Sequence, residues 1–275
     1  MEKIQWKVQQ VIDAHGHFRG LEPLPHYYGL LDLVGHTKVN VMGGTIRGGP
    51  PMDRKREFPR RFYCFGCLEH DPAKVEAGDG AYLVGQVEQL LALGYDGLKM
   101  MEGKPAYRKV SSQVSTGWMP LALDHRYFHP LWDRLETLDV PITMHLADPL
   151  DWWTAPDGVY RQGYEPQEEF FRQAIAVLER RPRLRITFAH FMFMGPQLDR
   201  LGSLFARFPQ MRVDLAMGHE FLYYLSDDPQ KARAFFITWP ARAGTARTSP
   251  TATRGAWRGP RPRRCGYCWR PTGRS

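Results

Sequence analysis

Two histidines stand two residues apart at the end of a short apolar segment, VIDAHGHF (residues 11–18). Alternate residues of a β-strand point to the same face, so a strand here would place His15 and His17 side by side. Neutral imidazoles are good ligands for zinc, iron or manganese. The spacing therefore predicts two ligands of one metal ion. The plainer interpretation is a pair of hydrogen-bonded core histidines.

Two further histidines lie near the ends of strand-like segments, His145 in PITMHLAD (141–148) and His190 in LRITFAHFMF (184–193). In an α/β barrel the carboxyl ends of all strands meet at the face that carries the active site. A single strand histidine is more often structural than functional. Four histidines converging from three strand ends favour a metal site.

The elements that must position these histidines alternate between strand-like and helix-like segments. The strand-like segments are apolar throughout, as in a parallel sheet covered by helices. There are seven such segments, the last being MRVDLAMG (211–218). The pattern favours an α/β TIM-like (β/α)8 barrel over a doubly wound open sheet, because no glycine-rich phosphate loop follows the first strand.

The C-terminal segment differs in composition from the rest of the chain. After Ile237 the apolar periodicity stops, and residues 239–275 contain nine arginines and no acidic residue. Such a segment cannot bury enough apolar surface to fold alone. We therefore predict a barrel domain over residues 1–237, lacking a proper eighth strand. A disordered, basic, Arg/Pro/Gly-rich tail is predicted over residues 238–275.

Charge and composition narrow the class of protein. The net charge of +8 comes from the tail, so the body does not favour a nucleic-acid module, and tail-mediated nucleic-acid binding is the weakest alternative. No apolar run reaches the roughly 18 residues of a membrane span, and no secretory leader is evident, which favours a cytoplasmic protein. The CxxC pairs Cys64/Cys67 and Cys265/Cys268 are far apart, which favours reduced thiols over a shared zinc site.

The segments VIDAHGHF, PITMHLAD and RITFAHF, together with ARAFFI, resemble amidohydrolase family 2 over residues 8–237. This branch of metal-dependent TIM-barrel hydrolases includes non-oxidative decarboxylases of carboxylated aromatic compounds. The resemblance implies that His15, His17 and His145 bind one divalent ion, zinc being preferred over manganese or iron. It implies that His190 polarises the substrate or orients metal-bound water. Lys99 lies where some relatives carry a carboxylated lysine bridging two metals, but a single ion is the expectation.

The resemblance implies a hydrolase in which metal-activated water attacks an amide, ester or lactone carbon of a small molecule. Decarboxylation on the same fold is the alternative within the enzyme class. Trp152, Trp153 and Arg47 are candidates for substrate binding, although the tryptophans could simply cap the barrel and Arg47 could be a surface residue. Asp148 is a candidate partner for a ligating histidine or a turn residue. Self-association into a homo-oligomer is left open.

One feature of the resembled family is missing from this sequence. In the family an aspartate after strand eight contacts the metal and moves protons, whereas the last acidic residue here is Asp228. The arginine-rich, acid-free tail is what out-of-frame translation of a GC-rich gene produces. Our hypothesis is that a frameshift replaced the eighth strand, which would leave the active site incomplete and the chain inactive.

Overall fold

The computed structural model describes residues 11–17, 29, 32–33, 35–108, 120–216 and 219–244. Eight parallel strands follow one another in chain order in a single sheet. Their bounds are β1 Ile12–Gly16, β2 Lys38–Met42, β3 Phe62–Gly66, β4 Gly97–Gly103, β5 Ile142–Leu146, β6 Ile186–Phe188, β7 Arg212–Asp214 and β8 Ala243–Gly244.

Helices occupy most connections between successive strands, which is the arrangement of a TIM-like barrel. Their bounds are α1 Pro50–Glu57, α2 Pro72–Glu76, α3 Ala81–Ala92, α4 His129–Thr137, α5 Asp151–Thr154, α6 Gln167–Arg180, α7 Leu198–Arg207, α8 His219–Asp227 and α9 Pro229–Thr238. Among these described helices, none combines the length and apolar composition that crossing a membrane requires.

The predicted barrel is confirmed, and its eighth strand is reduced to two residues. Ala243 and Gly244 pair in parallel with Val213 and Asp214 of β7. The sheet therefore continues beyond the expected boundary at residue 237. The division into a barrel and a tail stays a prediction, because residues 245–275, including the second CxxC pair, lie outside the described residues.

The sequence pattern explains how the barrel is covered. Every residue of β5 is buried, as expected for a strand enclosed on both faces. The following helix, α6, buries Phe170, Phe171, Ala174, Val177 and Leu178 at helical spacing. Its exposed residues are charged: Glu168, Arg172, Glu179 and Arg180. Apolar burial on this scale fixes the strand ends, and with them the polar side chains that the ends carry.

Buried polar side chains concentrate along the strands and just after their carboxyl ends. Nine of the twelve among the described residues have these positions: Asp13, His15, Asn40, Lys99, Glu102, Thr143, His145, Asp148 and Asp214, each at most 7% exposed. Burial of charged or polar groups is costly unless they are paired. Their concentration at one end of the sheet marks the candidate site.

Candidate active site

The two histidines of VIDAHGHF lie together, as their spacing predicts. His15 is fully buried, and its Nε2 is 3.0 Å from Nε2 of His17. The ring centroids are 4.9 Å apart. The Nζ atom of Lys99 approaches the same His15 nitrogen at 3.3 Å, so the Nε2 edge of His15 faces both neighbours.

A carboxylate 199 residues further along the chain orients His15. Asp214, the last residue of β7, accepts a hydrogen bond from His15 Nδ1 through Oδ2 at 2.7 Å. Its Oδ1 accepts the backbone N–H groups of His190 and Ala216. Because the carboxylate only accepts, Nδ1 of His15 carries the proton and Nε2 keeps its lone pair. Such carboxylate–histidine pairs fix the tautomer of metal-binding imidazoles.

His190 lies beside this pair and is also held in one tautomer. Its ring centroid is 5.2 Å from that of His15 and 4.9 Å from that of His145. Nδ1 of His190 donates to the carbonyl oxygen of Ala216 at 3.0 Å. The Nε2 atom is therefore left as an acceptor, which suits a ligand or a general base.

The backbone that presents His190 is unusual. Four consecutive non-glycine residues, His190 to Phe193, have φ between 52° and 57°. Left-handed backbone costs roughly 1–2 kcal/mol per residue that has a Cβ atom. Phe191, Met192 and Phe193 are buried, and their packing holds the turn in place. Strain of this kind concentrates at functional positions.

His145 joins the cluster, but its Nε2 faces a carboxylate. That atom lies 3.0 Å from Oδ1 of Asp148 and 3.4 Å from Nζ of Lys104. Lys104 also pairs with Asp148 at 3.0 Å, and Tyr160 donates to the other carboxylate oxygen at 2.6 Å. Asp148 is thus a partner of a site histidine, one of the two interpretations of its position. In this arrangement Nε2 of His145 is engaged, and its role as a ligand stays a prediction.

The electrostatics of the cluster favour neutral imidazoles. Burial and Lys99 lower the pKa of His17 to about 4, while burial and Lys104 lower that of His145 to about 4. Burial also lowers the pKa values of His15 and His190 well below the ordinary value. Burial lowers the pKa of Lys99 to about 8. At neutral pH the histidines are in the form that binds metals and accepts protons.

The donor set fits one divalent ion in part. Zinc is usually bound tetrahedrally at about 2.0–2.1 Å, which places two ligand nitrogens roughly 3.3–3.4 Å apart. The 3.0 Å between the Nε2 atoms of His15 and His17 is a little shorter than this. Within the described residues, no group of three His, Cys, Asp or Glu side chains is arranged to hold an ion. His15 and His17 fit as two ligands, with His190 adjacent and Nζ of Lys99 3.3 Å from Nε2 of His15.

The two predicted tryptophans occupy α5, directly after β5. Trp152 packs at a tilt beside Tyr160 with ring centroids 5.4 Å apart, and Nζ of Lys104 lies 5.9 Å from the centroid of the Trp152 ring. Trp153 donates from Nε1 to the carbonyl of Glu165 and packs beside Tyr160. Trp152 is therefore near the Lys104 end of the cluster, whereas Trp153 ties the α5 turn to the segment before α6.

Arg47 contacts Glu69 rather than the histidine cluster. It lies in the turn after β2, pairs with Glu69 at 3.3 Å and has a side chain that is 83% exposed. Substrate binding by Arg47 stays a prediction.

A cavity of about 200 Å³ adjoins the histidine cluster on the side of β2, β3 and β4. His17 and Lys99 line it, together with the buried pair His70 and Glu102. Cys67 also lines it, and burial raises the pKa of this thiol to about 12, so a nucleophilic thiolate is disfavoured. Neither His70 nor Glu102 was expected from the sequence to take part in a site.

A comparison with protein families shows which family part of the chain resembles. The family model described as Amidohydrolase matches residues 109–243. Over this segment, just under half of its length, the chain is similar to the amidohydrolase family. The match includes His145, His190 and Asp214, and the remaining site residues, His15, His17 and Lys99, come from the same barrel. No curated protein sequence matches the chain.

Solved structures share the barrel fold of this chain. A 2,6-dihydroxybenzoate decarboxylase bound to 2,6-dihydroxybenzoate is 16% identical, with 89% of this chain and 90% of that chain covered and a TM-score of 0.55. A 5-carboxyvanillate decarboxylase from Sphingomonas paucimobilis is 14% identical, with coverage of 89% and 90% and a TM-score of 0.54. A dihydroxybenzoic acid decarboxylase from a Polaromonas species, with bound manganese and 2-nitroresorcinol, is 15% identical, with coverage of 88% and 87% and a TM-score of 0.53. At these identities the similarity shows the fold alone.

Proposed function

We propose that this chain is a metal-dependent hydrolase of the amidohydrolase family that acts on an amide, ester or lactone of a small molecule. The observation that supports it best is the 3.0 Å approach of Nε2 of His15 to Nε2 of His17. These two residues would hold one divalent ion, zinc being preferred over manganese or iron. When bound, such an ion lowers the pKa of water towards roughly 7 and polarises a carbonyl.

The chain's own groups supply the remaining chemistry in this proposal. Asp214 keeps the proton of His15 on Nδ1, so that Nε2 faces the ion. His190 is the general base, because its Nδ1 proton is held by Ala216 and its Nε2 can accept the proton of the attacking water. The same Nε2 returns this proton to the leaving group. Burial of the cluster keeps His190 neutral before the reaction.

Decarboxylation of a carboxylated aromatic compound is the second candidate, and the lysines favour it. Lys99 and Lys104 reach the Nε2 atoms of His15 and His145, respectively, from inside the site. A buried ammonium group is a good partner for a substrate carboxylate. Trp152, beside Lys104, would then contact the aromatic ring. Structures with the same fold include decarboxylases, which gives this candidate further support.

Metal analysis and product analysis test these proposals together. We expect the purified protein to hold about one equivalent of divalent metal, and His15→Ala to lose most of it. His129→Ala is the matched control, since His129 interacts with Asp124 and Arg180 outside the site. Unchanged metal content in His15→Ala would contradict the metal site. Release of carbon dioxide from hydroxylated benzoates, without cleavage of amides, esters or lactones, would select the second candidate.

A further inference from the structure

His70 and Glu102 form a buried pair outside the histidine cluster. Glu102 belongs to β4, and His70 follows β3. Nε2 of His70 lies 2.7 Å from Oε1 of Glu102, and their side chains are 3% and 5% exposed. The chemistry proposed above uses neither residue.

Each member of this pair has a second polar atom that no described residue satisfies. Oε2 of Glu102 and Nδ1 of His70 are buried and have no hydrogen-bond partner among the described residues. Because Nε2 of His70 donates to Oε1 of the carboxylate, Oε2 of Glu102 is left as a buried acceptor. Buried polar groups nearly always have a partner, since an unpartnered one bears its full desolvation cost. The acceptor oxygen of Glu102 therefore calls for a donor other than the described residues.

The location of the pair indicates where that donor would come from. His70 and Glu102 line the cavity of about 200 Å³ that His17 and Lys99 also line. Met42, Leu68 and Met101 give the cavity apolar walls. An apolar pocket with a few convergent polar groups is the usual form of a small-molecule site, and this volume suits a ligand smaller than a drug-sized molecule.

We propose that Glu102, oriented by His70, is a specificity-determining acceptor for a hydroxyl or amino group on the substrate, at the end away from the reacting carbon. The reacting end of such a substrate would face His17 and Lys99. This inference rests on the proposed function for the identity of the cavity as the substrate pocket. It adds the substrate class, a small molecule that carries a hydrogen-bond donor.

Binding measurements with two ligands of the same shape test the role of Glu102. Resorcinol carries two hydroxyl donors, and 1,3-dimethylbenzene carries methyl groups in their place. We expect the ratio of their dissociation constants to shift at least tenfold against resorcinol in Glu102→Gln. The reason is that the glutamine oxygen must face the Nε2 proton of His70, which turns its NH2 group towards the cavity as a donor. Titration calorimetry on the full chain measures both constants.

The controls separate this role from a structural one. Glu76→Gln replaces an exposed glutamate in α2 and should leave the ratio unchanged. Glu102→Asp keeps the charge but withdraws the acceptor, so it should show a smaller shift, and it replaces Glu102→Gln in the test if that variant fails to fold. An unchanged ratio in the folded variants, or a wild-type protein that does not bind resorcinol, would overturn the inference.

The outcome is independent of the metal site. His15→Ala tests the ion and leaves Glu102 in place, so a variant that has lost metal should keep the wild-type ratio. If His15→Ala loses metal but Glu102→Gln leaves the ratio unchanged, only the inference is refuted. If Glu102→Gln shifts the ratio but His15→Ala keeps its metal, only the proposed function is refuted.

Discussion

His15 and Asp214 join the first strand of the barrel to the seventh through a hydrogen bond of 2.7 Å between two fully buried side chains. The same carboxylate caps the backbone N–H groups of His190 and Ala216. Asp214 therefore couples two functions, because it sets the tautomer of one site histidine and the backbone position of another. Asp214, at the end of β7, contacts the histidine cluster from the C-terminal half of the barrel. The sequence contains no aspartate after Asp228.

Asp214→Asn should weaken metal binding strongly with little loss of volume. The asparagine oxygen can still accept the backbone N–H groups, which turns its NH2 group towards Nδ1 of His15. That contact favours the tautomer with the proton on Nε2, which blocks the nitrogen that faces His17. We expect metal affinity to fall about 10–100-fold, measured by competition with a chromophoric chelator.

Asp199→Asn provides the matched control for this substitution. Asp199 is an aspartate of α7 whose side chain is 86% exposed and pairs with Lys231. Its replacement should leave metal affinity within error of the wild type, because surface ion pairs contribute little. Equal affinities for all three proteins would show that Asp214 only supports the fold.

The sequence predicted the strand histidines because their chemistry follows from local periodicity. A two-residue spacing places His15 and His17 on one side of a strand, and the ends of parallel strands share one face of a barrel. The sequence did not predict Asp214, because its partner His15 is 199 residues away and only the folded sheet brings the two together. The signal that could have identified it was a single acidic residue at the end of the apolar strand MRVDLAMG.

The side-chain contacts between different strands depend on strand register, which a local stretch of sequence does not determine. His70 meets Glu102 only because β3 and β4 pair as neighbours with a fixed offset. His145 was placed correctly at a strand end, but the direction of its Nε2 depends on Asp148 and Lys104 in the following loops. Element type and location were thus predictable, whereas the side-chain network required the packed barrel.

The left-handed turn after β6 predicts an inverted order of stability for two substitutions. Met192 has φ of 55° and is buried. Met192→Ala and Met192→Gly both remove the side chain, but only glycine relieves the backbone strain. We expect the glycine variant to be more stable than the alanine variant by about 1 kcal/mol in urea denaturation.

Ala174→Gly, in α6, is the reference for the usual order. Ala174 is in a right-handed helix, where glycine costs roughly 1 kcal/mol relative to alanine. If Met192→Gly were also less stable than Met192→Ala, the turn would not carry the strain that its φ angles indicate.

The thiols of Cys64 and Cys67 should be unreactive in the folded protein. Burial raises the pKa of each to about 12, so the thiolate that reacts with iodoacetamide is scarce at pH 8. We expect alkylation of both residues to be at least tenfold slower in the native protein than after denaturation. Peptide mapping by mass spectrometry measures each site separately, and rapid native labelling of Cys67 would show that its thiol is more accessible and more acidic than its burial implies.

Lys104 should control how the protein tolerates acid. Burial opposes ionisation of Asp148, but Lys104 and His145 outweigh it and lower the pKa of Asp148 to about 2. A depressed carboxyl pKa stabilises the folded state above the unfolded value of about 4, and this contribution is lost as the pH falls towards 2. Lys104→Met should raise the pKa of Asp148 and lower the free energy of unfolding at pH 7 by about 1–3 kcal/mol, with a smaller difference near pH 3.

Urea denaturation at both pH values measures this difference. Lys231→Met, which removes a surface ion pair, is the control. A difference from the wild type that does not shrink on acidification would show that Lys104 acts through packing rather than through the charge of Asp148.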